Sequence, residues 1–278
     1  MRTLLIVHYI NTAIILLIIA LNKWGGPQFG NVLYLSSREN GPYEQATALL
    51  LFSLGIICLY QWQKRSSQLN KLEKLALISL GALALVGGAE EISWGQQWFE
   101  FETSSFFKTH NLQNETNLHN LIPATVFSTI INVVIYVAFI YIPLLYQSFP
   151  NSSFHRLIRY SPLQNFVPSS YVVSIMLFAA LLHAWFIPAT YSDSLALAVG
   201  IVLFILQLSL HYWNKISINT SHVWSLLFLI AACALCIAAA SIFRHKNMQY
   251  EIREFVTVFG ILYWVLEWTK KTGIPKTS

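Results

Sequence analysis

Three pairs of residues along this chain are spaced for chemistry. Glu115 and His119 stand four apart, so on a helix one face would carry both. A carboxylate and an imidazole at that spacing can share a metal ion or exchange a proton. Glu251 and Glu254 are three apart and also share a helical face. Glu90 and Glu91 close one apolar run, and Glu44 opens another. His110 and His183 are reserve nitrogen ligands. No thiolate lies at this level, so the set suits Zn, Fe or Mn better than copper(I) or an iron–sulfur cluster. Three protein ligands plus a water would make a catalytic centre, with the metal activating water beside a carboxylate base. The candidate catalytic set is Glu90, Glu91, Glu115, His119 and Glu254, with Glu91, Glu115 and His119 as metal ligands. Gln96, Asn114 and Asn117 supply amides that would orient a substrate by hydrogen bonds.

Composition dictates the elements that must position these groups. Only 10% of the 278 residues are charged, against about 25% in an ordinary soluble domain. Apolar residues make up 55%, aromatics 14%, and the mean hydropathy is +0.54. Such a chain cannot coat a soluble globule with polar surface. A soluble enzyme, a disordered chain and a nucleic-acid binder are all disfavoured. The net charge of +5 is no basic patch, because most Lys and Arg flank apolar segments. The expectation is an all-α, polytopic transmembrane helical bundle forming one domain over 1–278.

A span needs roughly 20 apolar residues. Eight segments qualify: 4–22, 44–62, 75–98, 121–146, 170–189, 193–213, 222–243 and 251–269. The first lacks a clear small-residue cleavage site and is read as a retained helix. With both ends inside, eleven Lys and Arg fall on the cytoplasmic side and six outside, which favours that topology. The three cysteines, Cys58, Cys233 and Cys236, lie in apolar runs and suggest no disulfide framework. Cys233 and Cys236 read as small packing residues.

On this topology ten of the twelve acids gather at the outer face; Glu73 and Glu267 alone face the cytoplasm. The third span is cleanly apolar from Leu75 to Ala89, roughly 22 Å of helix against a hydrocarbon core of roughly 30 Å. Glu90 and Glu91 therefore fall at or inside the outer boundary. The last span is clean only from Phe255 to Leu266, roughly 18 Å, so flanking acids enter the membrane region. A charge at a span centre costs on the order of 3 kcal/mol, and the cost is met by facing partners in the bundle interior. Between the acids, Phe99, Phe101, Phe106 and Phe107 alternate with polar residues, a pattern of segments lying on a membrane surface. The competing reading is a hydrogen-bonded Glu–His–Asn network that only fixes helix packing.

The strings ENGPYEQ (39–45), GGAEEISWGQ (87–96), NLQNETNLHN (111–120) and EIREF (251–255) resemble a signature of uncharacterised polytopic membrane proteins of bacteria. That resemblance implies a multi-pass protein of the bacterial inner membrane. A more distant likeness is to the CREST membrane hydrolases, helical bundles with Ser, Asp and three His around zinc. This chain departs from them: Ser93 follows Glu90 closely, but Glu251 and Glu254 stand where histidines would be wanted. The functional expectation is a metal-dependent hydrolase or transferase acting on a lipid or lipid-linked substrate, with the bilayer as partner. The alternatives are a proton-coupled transporter and an assembly factor without turnover.

Overall fold

The computed structural model describes residues 13, 17, 41–111, 114–118, 121, 124–186, 191–213 and 247–272. Every regular element among them is helical. The anticipated span 222–243, and span 4–22 apart from Ala13 and Leu17, lie outside the described residues.

Helix α1 (Pro42–Arg65) starts with proline in its first turn, where a missing N–H is no loss. Glu44 in the first turn and Lys64 and Arg65 in the last complement the helix dipole. Helix α2 (Lys71–Glu91) opens with a capping box. Asn70 Oδ1 accepts from the Glu73 N–H, and the Glu73 carboxylate accepts from the Asn70 N–H, both at 2.9 Å. Asn165 Nδ2 donates to the second Glu73 oxygen at 2.8 Å, tying α2 to a 3₁₀ turn more than 90 residues on.

The α1–α2 hairpin packs through small residues, as membrane helices do. A Cβ on Gly55 would stand 2.6 Å from Leu85 Cγ and 3.0 Å from the Gly81 carbonyl oxygen. The outward faces carry exposed Leu49, Ile56, Leu75, Leu83 and Val86. After α3 (Gln96–Phe99) and α4 (Ser105–His110) comes a long composite helix: α5 (Ala124–Val134), a π-helical stretch (Ile135–Tyr141) and α6 (Ile142–Ser148). Among the described residues, Pro42–Arg65, Lys71–Glu91 and Thr129–Ser148 are long and apolar enough to cross a membrane. Then follow α7 (Ser153–Arg159), a 3₁₀ turn (Pro162–Phe166), α8 (Ser170–Phe186), α9 (Tyr191–Trp213) and α10 (Asn247–Thr272).

Helix α10 belongs to both apolar cores. Ile252, Val256 and Tyr263 pack into one with the π stretch, α8 and α9. Leu262, Val265 and Trp268 pack into the other with α1 and α2. This double burial is what lets α10 carry ionisable residues at its ends: protein, not lipid, surrounds it. At the other end of α6, Gln147 accepts from Ser170 Oγ at 2.8 Å and from Gln207 Nε2, clamping α6, α8 and α9.

Candidate metal centre at the Glu91 end of α2

Helix α2 stops at Glu91, before the anticipated span end at residue 98. Three consecutive residues then take positive φ: Ser93 (47°), Trp94 (56°) and Gly95 (92°). A left-handed conformation costs a non-glycine residue about 1–2 kcal/mol, so the surroundings must hold Ser93 and Trp94 there. They do so with hydrogen bonds. Trp94 Nε1 donates to Glu90 Oε1, and Ser93 Oγ donates to Glu115 Oε2 at 2.8 Å. The turn carries the chain out into the 96–118 excursion.

The excursion is laced back onto α2. The Leu118 N–H donates to Glu90 Oε2 at 2.6 Å. Asn117 Nδ2 donates to Glu115 Oε2 at 2.9 Å, and Asn111 Nδ2 donates to Asn117 Oδ1 at 2.8 Å. Gln96 uses both ends of its amide: Nε2 donates to Thr103 Oγ1 at 2.6 Å, and Oε1 accepts from the Thr116 N–H at 2.8 Å. Thr103 Oγ1 in turn donates to the Asn114 carbonyl at 2.7 Å.

Glu91 takes another direction. One oxygen each from Glu91, Glu251 and Glu254 lie within 4.8 Å of one another, all three residues partly buried. The i,i+3 spacing on α10 delivers two of the carboxylates, and the last residue of α2 delivers the third. Glu44, in the first turn of α1, interacts electrostatically with both Glu91 and Glu254. At an effective dielectric constant of about 20, two unit charges this close repel by on the order of 3 kcal/mol. Three such pairs approach the whole stability of a fold. The group therefore requires positive charge, as a metal ion or as protons. Arg253 supplies part of it: it is 4% exposed, attracts Glu254, and donates to Asn132 Oδ1 on α5.

The chain thus holds a Glu-only cluster that can ligate a metal ion. An all-oxygen donor set suits hard cations such as Mn²⁺ or Mg²⁺. Among the anticipated site residues, Glu91 and Glu254 come together, joined by Glu251, which the sequence placed on the right face but outside the catalytic set. Glu90 and Glu115 spend their carboxylates on the excursion instead. Glu115 lies in a bend, so the helical register with His119 is absent at that end. Asn117 is buried in the network, whereas Asn114 is exposed, with φ 58°. His110 Nδ1 shares a hydrogen bond with the Phe106 carbonyl at 2.9 Å. His119 lies outside the described residues, as does the side chain of His183. Sequence reasoning set Ser93 in the polar stretch after Glu90 but gave it no bond to Glu115.

All four motif strings reach this end of the bundle. Gln45 bonds Trp98, Glu90 bonds Leu118, Asn111 bonds Asn117, and Glu251 and Glu254 meet Glu91. No protein-family model, curated protein or solved structure matches the chain.

Proposed function

We propose that the protein is a multi-pass enzyme of the bacterial inner membrane that uses a divalent metal at its outer face. Its substrate would be a lipid or a lipid-linked molecule, cleaved or transferred. The reading takes eight spans in one domain with both termini cytoplasmic, and kinship with the bacterial membrane proteins that the four motifs resemble. The observation that carries it is the meeting of Glu91, Glu251 and Glu254 within 4.8 Å. In ordinary packing, like charges of this number are kept apart or paired.

In this reading Glu91, Glu251 and Glu254 hold the ion, and Glu44 beside them moves a proton. The bound ion would supply Lewis acidity and a water of lowered pKa. His119 is a proposed further ligand, because it follows Leu118, whose N–H is held by Glu90, the neighbour of Glu91. Glu90, Gln96, Glu115 and Asn117 position the wall of the site through the excursion, and Asn114 is left exposed to meet a headgroup.

Metal analysis of the purified protein tests the proposal. About one Mn, Mg, Zn or Fe per chain is expected, lost in Glu91→Gln and Glu254→Gln and kept in Ser93→Ala. Wild-type protein with only traces of metal, unaltered by those substitutions, overturns it. A second reading, a proton-coupled carrier, is favoured by the absence of any nitrogen ligand from the described trio. Proton-driven flux in proteoliposomes, abolished by Glu91→Gln and indifferent to chelator, would select it.

A further inference from the structure

The excursion between α2 and α5 is built inside out. Past Ile92, its buried side chains are polar: Ser93 is 0% exposed and Asn117 1%, with Asn111 and Thr103 also buried. They spend their hydrogen bonds on one another and on Glu115 and Gln96. Its exposed residues include large apolar rings: Phe99 is 77% exposed and Phe106 54%, and Trp94, Trp98 and Phe101 are exposed as well. A loop surrounded by water does the reverse. Burying one such side chain is worth about 1.5–3 kcal/mol. Five rings left about half open forgo on the order of 5 kcal/mol, comparable with the stability of a fold.

The patch continues a surface that already faces lipid in the membrane reading. Leu83 and Val86 are exposed on α2, and Trp94 bonds Glu90 one turn beyond Val86. Trp98 packs against Phe52 of α1, with ring centroids 6.5 Å apart, and its Nε1 donates to Gln45 Oε1 at 2.7 Å. Irregular backbone is tolerated at membrane depth only when its polar groups are satisfied internally, and the network does much of that. The charges interleaved with the rings set the depth. Glu102 is 95% exposed and pairs with Lys108 at 3.6 Å. These groups belong in the headgroup layer, not in the hydrocarbon.

We propose that residues 94–107 form a preformed wedge seated at the headgroup–acyl boundary of the bilayer that α1 and α2 cross, with the lipid itself as its occupant. The wedge rests on the membrane reading alone and needs neither metal nor catalysis. It goes beyond that reading by placing the 93–118 network at lipid depth, as the device that hides polar groups from the acyl chains.

Site-directed spin labelling tests this on the full chain. Cys58, Cys233 and Cys236 are replaced by Ala, and single labels are introduced through Phe99→Cys, Phe106→Cys and Glu102→Cys. The protein is reconstituted into vesicles of phosphatidylethanolamine and phosphatidylglycerol. Labels at 99 and 106 are expected to collide more with oxygen than with a water-soluble nickel chelate, and the label at 102 the reverse. Chelate-dominated collisions at 99 and 106 put the excursion in water and overturn the proposal. Shielding from both probes shows a protein cover and overturns it too. If a labelled variant fails to fold, vesicles with brominated acyl chains replace the labels. They should quench the wild-type tryptophan emission more than that of a Trp94→Phe, Trp98→Phe chain; equal quenching overturns the wedge.

Discussion

Glu90 and Glu91 are neighbours, yet their carboxylates sit in opposite electrical surroundings. Glu90 accepts from an indole N–H and a backbone N–H. Glu91 faces two further glutamates and feels Glu44 as well. One helix end thus feeds a donor-rich network on one side and an acid-rich pocket on the other. Neutralising a carboxylate should have opposite consequences in the two. In the network it strands buried donors; in the pocket it relieves repulsion. The first arrangement is held by its own donors, whereas the second gathers like charges beside one buried cation, Arg253.

The largest effect is expected from Glu115→Ala. It leaves Ser93 and Asn117, both buried, without their shared acceptor, at a cost of about 3 kcal/mol. Thermal unfolding in detergent reads this; a loss below about 1 kcal/mol would mean that the network is solvated and the contrast false. Next is Gly55→Ala. Its Cβ has no room against Leu85 and the Gly81 backbone, so about 1–3 kcal/mol should be lost. It should also weaken metal binding without touching an acid, because α10, which carries Glu251 and Glu254, packs against both α1 and α2, the latter carrying Glu91. Unchanged metal affinity would show that the trio is held independently of the α1–α2 contact.

Glu254→Gln should have the opposite sign to Glu115→Ala. Metal-free protein is expected to gain about 1 kcal/mol, because the pocket is partly buried and its repulsion partly screened. In excess Mn²⁺ the order should reverse, since wild type gains stability from the ion and the variant does not. A variant less stable than wild type in chelator would place Glu254 in an undetected donor network. The smallest effect serves as a control. Asn70→Ala removes the cap of α2 at its far end, costing about 1 kcal/mol, and should leave metal content untouched.

Much of the helical frame was legible because composition alone dictates it. The segments 44–62, 193–213 and 251–269 each fall on an observed helix, as do the described part of 170–189, as far as Phe186, and most of 121–146. The end of the third was not legible. Residues 92–98 carry two tryptophans and read as the interfacial end of a span, but the left-handed turn at Ser93 and Trp94 rests on a bond from Trp94 back to Glu90 and on one from Ser93 to Glu115, 22 positions away. The pocket was half legible. The spacing of Glu251 and Glu254 fixes their common face, but their approach to Glu91 is an inter-helix contact that no single chain displays. Glu115 misled for a related reason: its pattern fits a helix, but Asn114 has a positive φ and the excursion bends there.

The π-helical stretch at Ile135–Tyr141 works as a rotational spacer. Ahead of it Asn132 reaches Arg253; at and beyond it, Tyr141 bonds the Ala196 carbonyl and Gln147 meets Ser170. One residue in an α-helix is about 100° of azimuth. Excising a single residue from this stretch would therefore tidy the local backbone while turning one half of the helix against the other. The two sets of handshakes would then fall out of phase, and the rod would have to give up its grip on α10 or its grip on α8 and α9.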